Sequence, residues 1–206
     1  MLLSFLFRNS TVKLLISNHP DYLRTAYETG MTKVFFPEFD RMMETKQNNP
    51  HHIYAVGEHM LHSLEHVRAD KVLRLAMILH DVAKPETLKV GEDGVDHFYG
   101  HPEMGAEMAK AILRRLRFDN ETKNKVVTLV SLHDSPIMVN DNTCPDKKRL
   151  KKIMSKIGKD LIFDLVHIKY CDNSAQKSEY FRGEDFYKTT YFLINEIISQ
   201  QECFSI

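Results

Sequence analysis

Cysteine, glycine, proline and net charge are all scarce in this chain of 206 residues, and each shortage excludes something. Cys144, Cys171 and Cys203 are its only cysteines, odd in number and with no close-spaced pair. They argue against a disulfide framework and a thiolate zinc site, and they fit a reducing, cytoplasmic setting. Gly and Pro number 8 and 7, helix formers dominate, and no stretch sustains a period of two, which excludes a sheet-rich fold. Lys+Arg and Asp+Glu balance at 28 each, so no global field steers the chain to DNA, RNA or a membrane. Binding of that kind would need a local patch. The apolar opening MLLSFLF is short, lacks a basic start and runs into Arg8, so it reads as neither a signal peptide nor a membrane span. Repeats and low-complexity tracts are also missing.

What is plentiful is histidine, with 11 residues, set in a chain long enough for one good core or two small ones. The organising stretch is Lys71 to Lys84, KVLRLAMILHDVAK. Val72, Leu73, Leu75, Ala76, Ile78, Leu79 and Val82 cover most of a helix surface, which predicts a helix buried nearly all round. His80 and Asp81 stand side by side at its end. Burying such a pair is costly unless it is mutually paired or bound to a metal, and neutral imidazole and carboxylate are both ligands for divalent ions. The competing reading is a buried His–Asp hydrogen bond that only joins helices.

Around this stretch the sequence predicts an all-α fold. Ser10 is placed to cap Thr11 to Ser17, and Pro20-Asp21 opens Tyr22 to Thr29, which Gly30 stops. Asn48-Asn49-Pro50 is a loop before a helix over Ile53 to Arg68, where His59, His62 and His66 share one face. Pro85 to Gly100 is a loop, Glu103 to Leu116 and Asn120 to His133 are helices, and Ser135 to Pro145 breaks the pattern. Lys147 to Ile157 is basic and amphipathic. Gly158 separates it from Leu161 to Asp172, and Glu179 to Gln200 closes the chain.

His-Asp followed by Val82-Ala83-Lys84 resembles the signature of the HD superfamily of metal-dependent phosphohydrolases. In that family an upstream helix supplies a further His and a later helix a closing Asp, for which His59 and Asp172 are candidates. The resemblance narrows over YAVGEH (54–59), LHDVAKP (79–85), HFYGHPEMGAEMAKAILRRLRF (97–118) and YCDNSAQ (170–176). These stretches resemble the second half of bacterial CCA-adding tRNA nucleotidyltransferases over about residues 10 to 176. The resemblance implies a helical, neck-like segment over residues 1–50 and an HD helical bundle over 51–206, and it selects His59 over His62 and His66. Ala55 and Gly57 stand where larger residues are usual. No Gly-rich strand-turn with a D-x-D carboxylate pair occurs in the 206 residues, so nucleotide addition is not available to them alone.

The candidate ligands are therefore His59, His80, Asp81, His101, His133 and Asp172. One ion would take His59, His80, Asp81 and Asp172. A second would take His101 and His133, with Asp81 as the bridge. Imidazole mixed with carboxylate suits Mn, Fe, Co, Ni or Zn better than Mg. Such ions supply hydroxide near neutral pH and clamp phosphoryl oxygens, with Asp81 and Lys84 as catalytic groups. His101 also has a plain reading as an exposed loop His, and His133 as an imidazolium at a helix C-terminus. The resemblance implies hydrolysis of nucleotides or other phosphorylated molecules, RNA ends included. The alternative is a non-catalytic tRNA-binding half of a split nucleotidyltransferase. A basic series including Arg114, Arg115, Lys148, Lys151 and Lys152 supports that alternative, against the reading of a solvated helix face.

Overall fold

The computed structural model describes residues 10, 12–137 and 144–203, apart from the side chains of 180 and 201–203. The apolar opening, Thr11, part of the Ser135–Pro145 break and the Cys203 side chain lie outside these.

Residues 12–15 are helical, and a 3-10 turn at Pro20–Tyr22 leads into α1 (Leu23–Glu28). Then come α2 (Thr32–Phe35) and α3 (Pro37–Glu44), which opens on its proline. After the Asn-Asn-Pro loop, α4 (Val56–Glu65) packs along α3. A Cβ on Gly57 would lie 2.7 Å from the backbone nitrogen of Met43, so only glycine allows this approach, which explains the small residue there.

α5 (Lys71–Leu79) is the predicted central helix, capped by Asp70, whose carboxylate accepts from Leu73 N at 2.9 Å. Every residue from Leu73 to Leu79 is buried, Arg74 included. The helix stops five residues short of the expected Lys84. Pro85 has no N–H for Asp81 O, so residues 80–83 form tight turns (Lys84 N to Asp81 O, 3.0 Å) and α6 (Lys84–Thr87) starts afresh. A short antiparallel hairpin follows, β1 (Lys89–Val90) and β2 (Asp96–His97), inside the stretch predicted as loop.

α7 (His101–Arg115) begins after Gly100, whose φ of 74° is a left-handed conformation suited to glycine, and carries Pro102 in its first turn. α8 (Asn120–Leu132) is capped by Asp119 and lies along α7 and against α5. α9 (Lys147–Ser174) is capped by Asp146 and broken at Gly158 (φ 87°), as the sequence predicts. A 3-10 turn at Ser178–Tyr180 precedes α10 (Glu184–Cys203), which starts later than Glu179 and packs on α9.

One hydrophobic core runs from Leu15, Leu23 and Phe39 through α4 and α5 to Ile194 and Ile197 of α10. The first segment is also tied in by polar groups. Buried Arg74 donates to the carbonyls of Leu15, Ser17 and Val67, and Arg24 forks onto Glu58 at 3.1 and 2.6 Å. No described helix is long and apolar enough to cross a membrane.

Candidate metal centre

Helix ends deliver five of the six predicted residues to one place. His80 caps the C-terminus of α5 and Asp81 follows it; His101 opens α7; His133 caps α8. His59 comes from the middle of α4 and Asp172 from the last turn of α9. His59, His80, Asp81, His101 and His133 are all buried, and Asp172 is 18% exposed.

Asp81 is the hub. Its Oδ2 lies 3.2 Å from His80 Nε2, and its Oδ1 lies 3.4 Å from His101 Nε2 and 3.7 Å from His133 Nε2. Asp172 Oδ1 closes the other side, 2.8 Å from His59 Nε2 and 3.6 Å from His80 Nε2. Two groups of possible ligand atoms therefore share Asp81: His59–His80–Asp81 and Asp81–His101–His133, each within 4.8 Å. All six predicted ligands are brought together.

The tautomers are set locally. Nδ1 of His80, His101 and His133 reaches the carbonyl oxygen three residues back (Met77, Phe98, Val130) at 2.6, 2.8 and 2.7 Å. A carbonyl only accepts, so each Nδ1 carries a proton and each ring turns its Nε2 to the cluster. His101 Nε2 and His133 Nε2 face each other at 3.1 Å, an arrangement that calls for a proton or cation between them. His80 Nε2 and Asp81 Oδ2 are buried without a hydrogen bond of proper angle, although Lys84 Nζ lies 2.7 Å from that oxygen. Convergent ring nitrogens, shared carboxylates and unsatisfied buried polar atoms fit a divalent cation.

The electrostatics agree. Burial alone would depress the His80 pKa, but Asp81 and Asp172 outweigh it and raise it to about 10. Burial works against both carboxylates, yet the histidines, with Lys84 at Asp81, hold them well below the usual range. Burial lowers His101. The cluster is thus hungry for positive charge.

Lys84 is less free than its position suggests. Besides its ion pair with Asp81 it donates to Gln47 Oε1 at 2.9 Å and sits over the Phe98 ring. Three residues outside the predicted ligand set, His52, Lys169 and Arg182, also face this region. The His52 ring packs edge-on to His59 at 4.6 Å, and burial, Lys84 and His59 lower its pKa to about 3. Lys169 donates to His133 O, and burial lowers its pKa to about 8. Lys169 and Arg182 line an open cleft of about 550 Å³ together with Asp81, Lys84, His101, His133 and Asp172. The one available signal for Lys169 was its spacing of one turn from Asp172 on α9; Arg182 carried none.

His62 stacks on Tyr54 and His66 is exposed, both outside the cluster. Glu58 pairs with Arg24, whose hydrogen bond lowers its pKa, and takes no part in the site. Among the basic residues, Arg115 forks onto Glu38 at 2.7 Å, whereas Arg114, Lys148, Lys151 and Lys152 are exposed.

Fold and site together define an all-α scaffold with a buried histidine–carboxylate cluster suited to divalent metal. The chain belongs to the HD domain family, whose model matches residues 51–169. Curated relatives include the CC-adding tRNA nucleotidyltransferase of Thermus thermophilus, 32% identical over 82% of this chain and 39% of the relative. The A-adding tRNA nucleotidyltransferase of Deinococcus radiodurans is 29% identical over 77% of this chain and 37% of its own length. A bifunctional uridylyltransferase/uridylyl-removing enzyme of Rhodospirillum rubrum is 30% identical over 54% of the chain and 13% of the relative. The chain thus spans less than two fifths of each of these proteins.

Proposed function

We propose that this chain is a metal-dependent phosphohydrolase acting on nucleotides or RNA ends, working in the cytoplasm. The observation that carries the reading is the Asp81 carboxylate, which divides its two oxygens between the His80 and the His101–His133 sides of the cluster. His59, His80, Asp81 and Asp172 would hold one ion, and Asp81, His101 and His133 a second, with Mn, Fe, Co, Ni or Zn as the ions that suit the donor set. Bound there, such ions lower the pKa of water and neutralise charge on phosphoryl oxygens. The chain's own contribution is positioning. The carbonyls of Met77, Phe98 and Val130 fix the imidazole tautomers, Lys84 holds Asp81, and Lys169 and Arg182 present positive charge to an entering phosphate. Residues 1–50 serve as a neck-like support and 51–206 as the catalytic domain.

A second reading, a tRNA-binding half without catalysis, is favoured by the tRNA nucleotidyltransferase relatives and by the exposed Lys148, Lys151 and Lys152 on α9. The test is hydrolysis of a phosphomonoester, a 2',3'-cyclic nucleotide and a nucleoside 2'-phosphate with each metal. Wild type should turn over at least one, and Asp81→Ala, folded by circular dichroism, should lose about 100-fold or more, since misplacing a reacting group by about 1 Å can cost that much. A wild type that binds metal but hydrolyses nothing gives the lead to the tRNA-binding reading.

A further inference from the structure

Tyr99 lies on the rim of the cleft, two residues before His101, and is 70% exposed. Its ring stacks on that of His97, with centroids 5.2 Å apart and planes 9° from parallel. The loop that carries the pair is fastened at both ends. Asp96 Oδ2 accepts from Asn48 N at 2.6 Å and Asp96 N donates to Asn48 O at 2.9 Å; on the far side Gly100 turns the chain into α7. His101 Nδ1 then reaches back to the carbonyl of Phe98. A large aromatic is thus held out of the core at the cleft that contains the histidine–carboxylate cluster, with its ring beside that of His97 and otherwise largely exposed. Such a ring is a stacking platform, and stacking accepts any base because every base has a π-face.

We infer that the exposed ring of Tyr99 receives the nucleobase of the substrate, continuing the His97–Tyr99 stack, while the phosphate lies at the metal cluster between Lys169 and Arg182. The placement of the phosphate rests on the phosphohydrolase reading; the stack itself does not. The chemical class selected is a nucleoside phosphate, or the terminal nucleotide of an RNA, over a phosphorylated sugar without a base.

The test uses the full metal-loaded chain and two readouts. The first is fluorescence of 2-aminopurine riboside monophosphate, which stacking quenches. Wild type should quench it, and Tyr99→Ala should bind it about tenfold or more weakly, in line with the loss of one aromatic–base stack, while Tyr99→Trp retains it. The second is kcat/KM for adenosine monophosphate against ribose 5-phosphate. Tyr99→Ala should lower the first about tenfold and leave the second unchanged. Equal affinity of wild type and Tyr99→Ala for the fluorescent nucleotide, or no quenching by wild type, overturns the platform even if hydrolysis is robust. Tyr99-dependent quenching without any hydrolysis upholds the platform and overturns the phosphohydrolase reading instead.

Discussion

At the scale of single residues, Asp81 and Lys84 divide the work. Asp81 has both oxygens near neighbours in the cluster, and Lys84, buried against it, sets a lysine ammonium beside that carboxylate. The sequence marks Lys84 as a catalytic group, and a free ammonium there would grip substrate phosphate. Its ion pair with Asp81 and hydrogen bond to Gln47 favour an action through Asp81. Lys84→Ala should therefore lower kcat by about tenfold and weaken metal affinity, with a smaller change in KM, measured by steady-state kinetics across metal concentrations. A change in KM alone would return Lys84 to the substrate. The HD dipeptide and its distant partners were legible because ligand types recur at motif positions. Gln47, His52 and Arg182 were not, because only tertiary folding brings a loop amide to Lys84 and a loop imidazole and a post-helix arginine to the cleft.

At the scale of elements, caps and breakers carried most of the information. Asp70, Asp119, Asp146, Gly100 and Gly158 act as local backbone chemistry demands. The early end of α5 was missed because the apolar pattern continues through Val82, while Pro85 removes a donor several residues downstream. Asp119 makes the element scale testable. Its carboxylate accepts from Thr122 N and Oγ1, at 2.8 and 2.7 Å, and these bonds lower its pKa from 3.8 to about 2. A depressed carboxylate stabilises above its unfolded pKa and loses that contribution as pH falls through the folded one. Asp119→Ala should cost about 1 kcal/mol at pH 7, in urea denaturation, and the gap to wild type should close between pH 4 and 2. A gap that persists unchanged at pH 2 would assign the loss to something other than the ionised cap.

At the scale of the molecule, the first segment shares a core with the bundle, and Arg74 is a buried polar rivet between them. A lone arginine in an apolar helix reads as a surface charge, so this link was invisible in the sequence; the carbonyls of Leu15 and Ser17 that it serves lie more than fifty residues away. Arg74→Met keeps the aliphatic bulk but leaves those carbonyls unpaired. It should cost about 2–3 kcal/mol by chemical denaturation, and a loss below about 0.5 kcal/mol would show that the carbonyls find other partners. The same molecular view explains why the site sits where it does: the C-termini of α5, α8 and α9 and the N-terminus of α7 meet beside α4, so ligands far apart in sequence need only short side chains to converge.

The central claim is that this convergence is a metal site, and calorimetric titration of the chelator-stripped protein with Mn or Zn tests it most directly. Because the Asp81 and Asp172 carboxylates draw a proton onto His80, raising its pKa to about 10, an incoming cation must displace that proton. The account predicts stoichiometric binding at pH 7 with proton release, seen as heats that vary with the buffer's ionisation enthalpy, and strongly weakened binding in Asp81→Ala. Absence of binding, or equal binding by wild type and a folded Asp81→Ala, would contradict it.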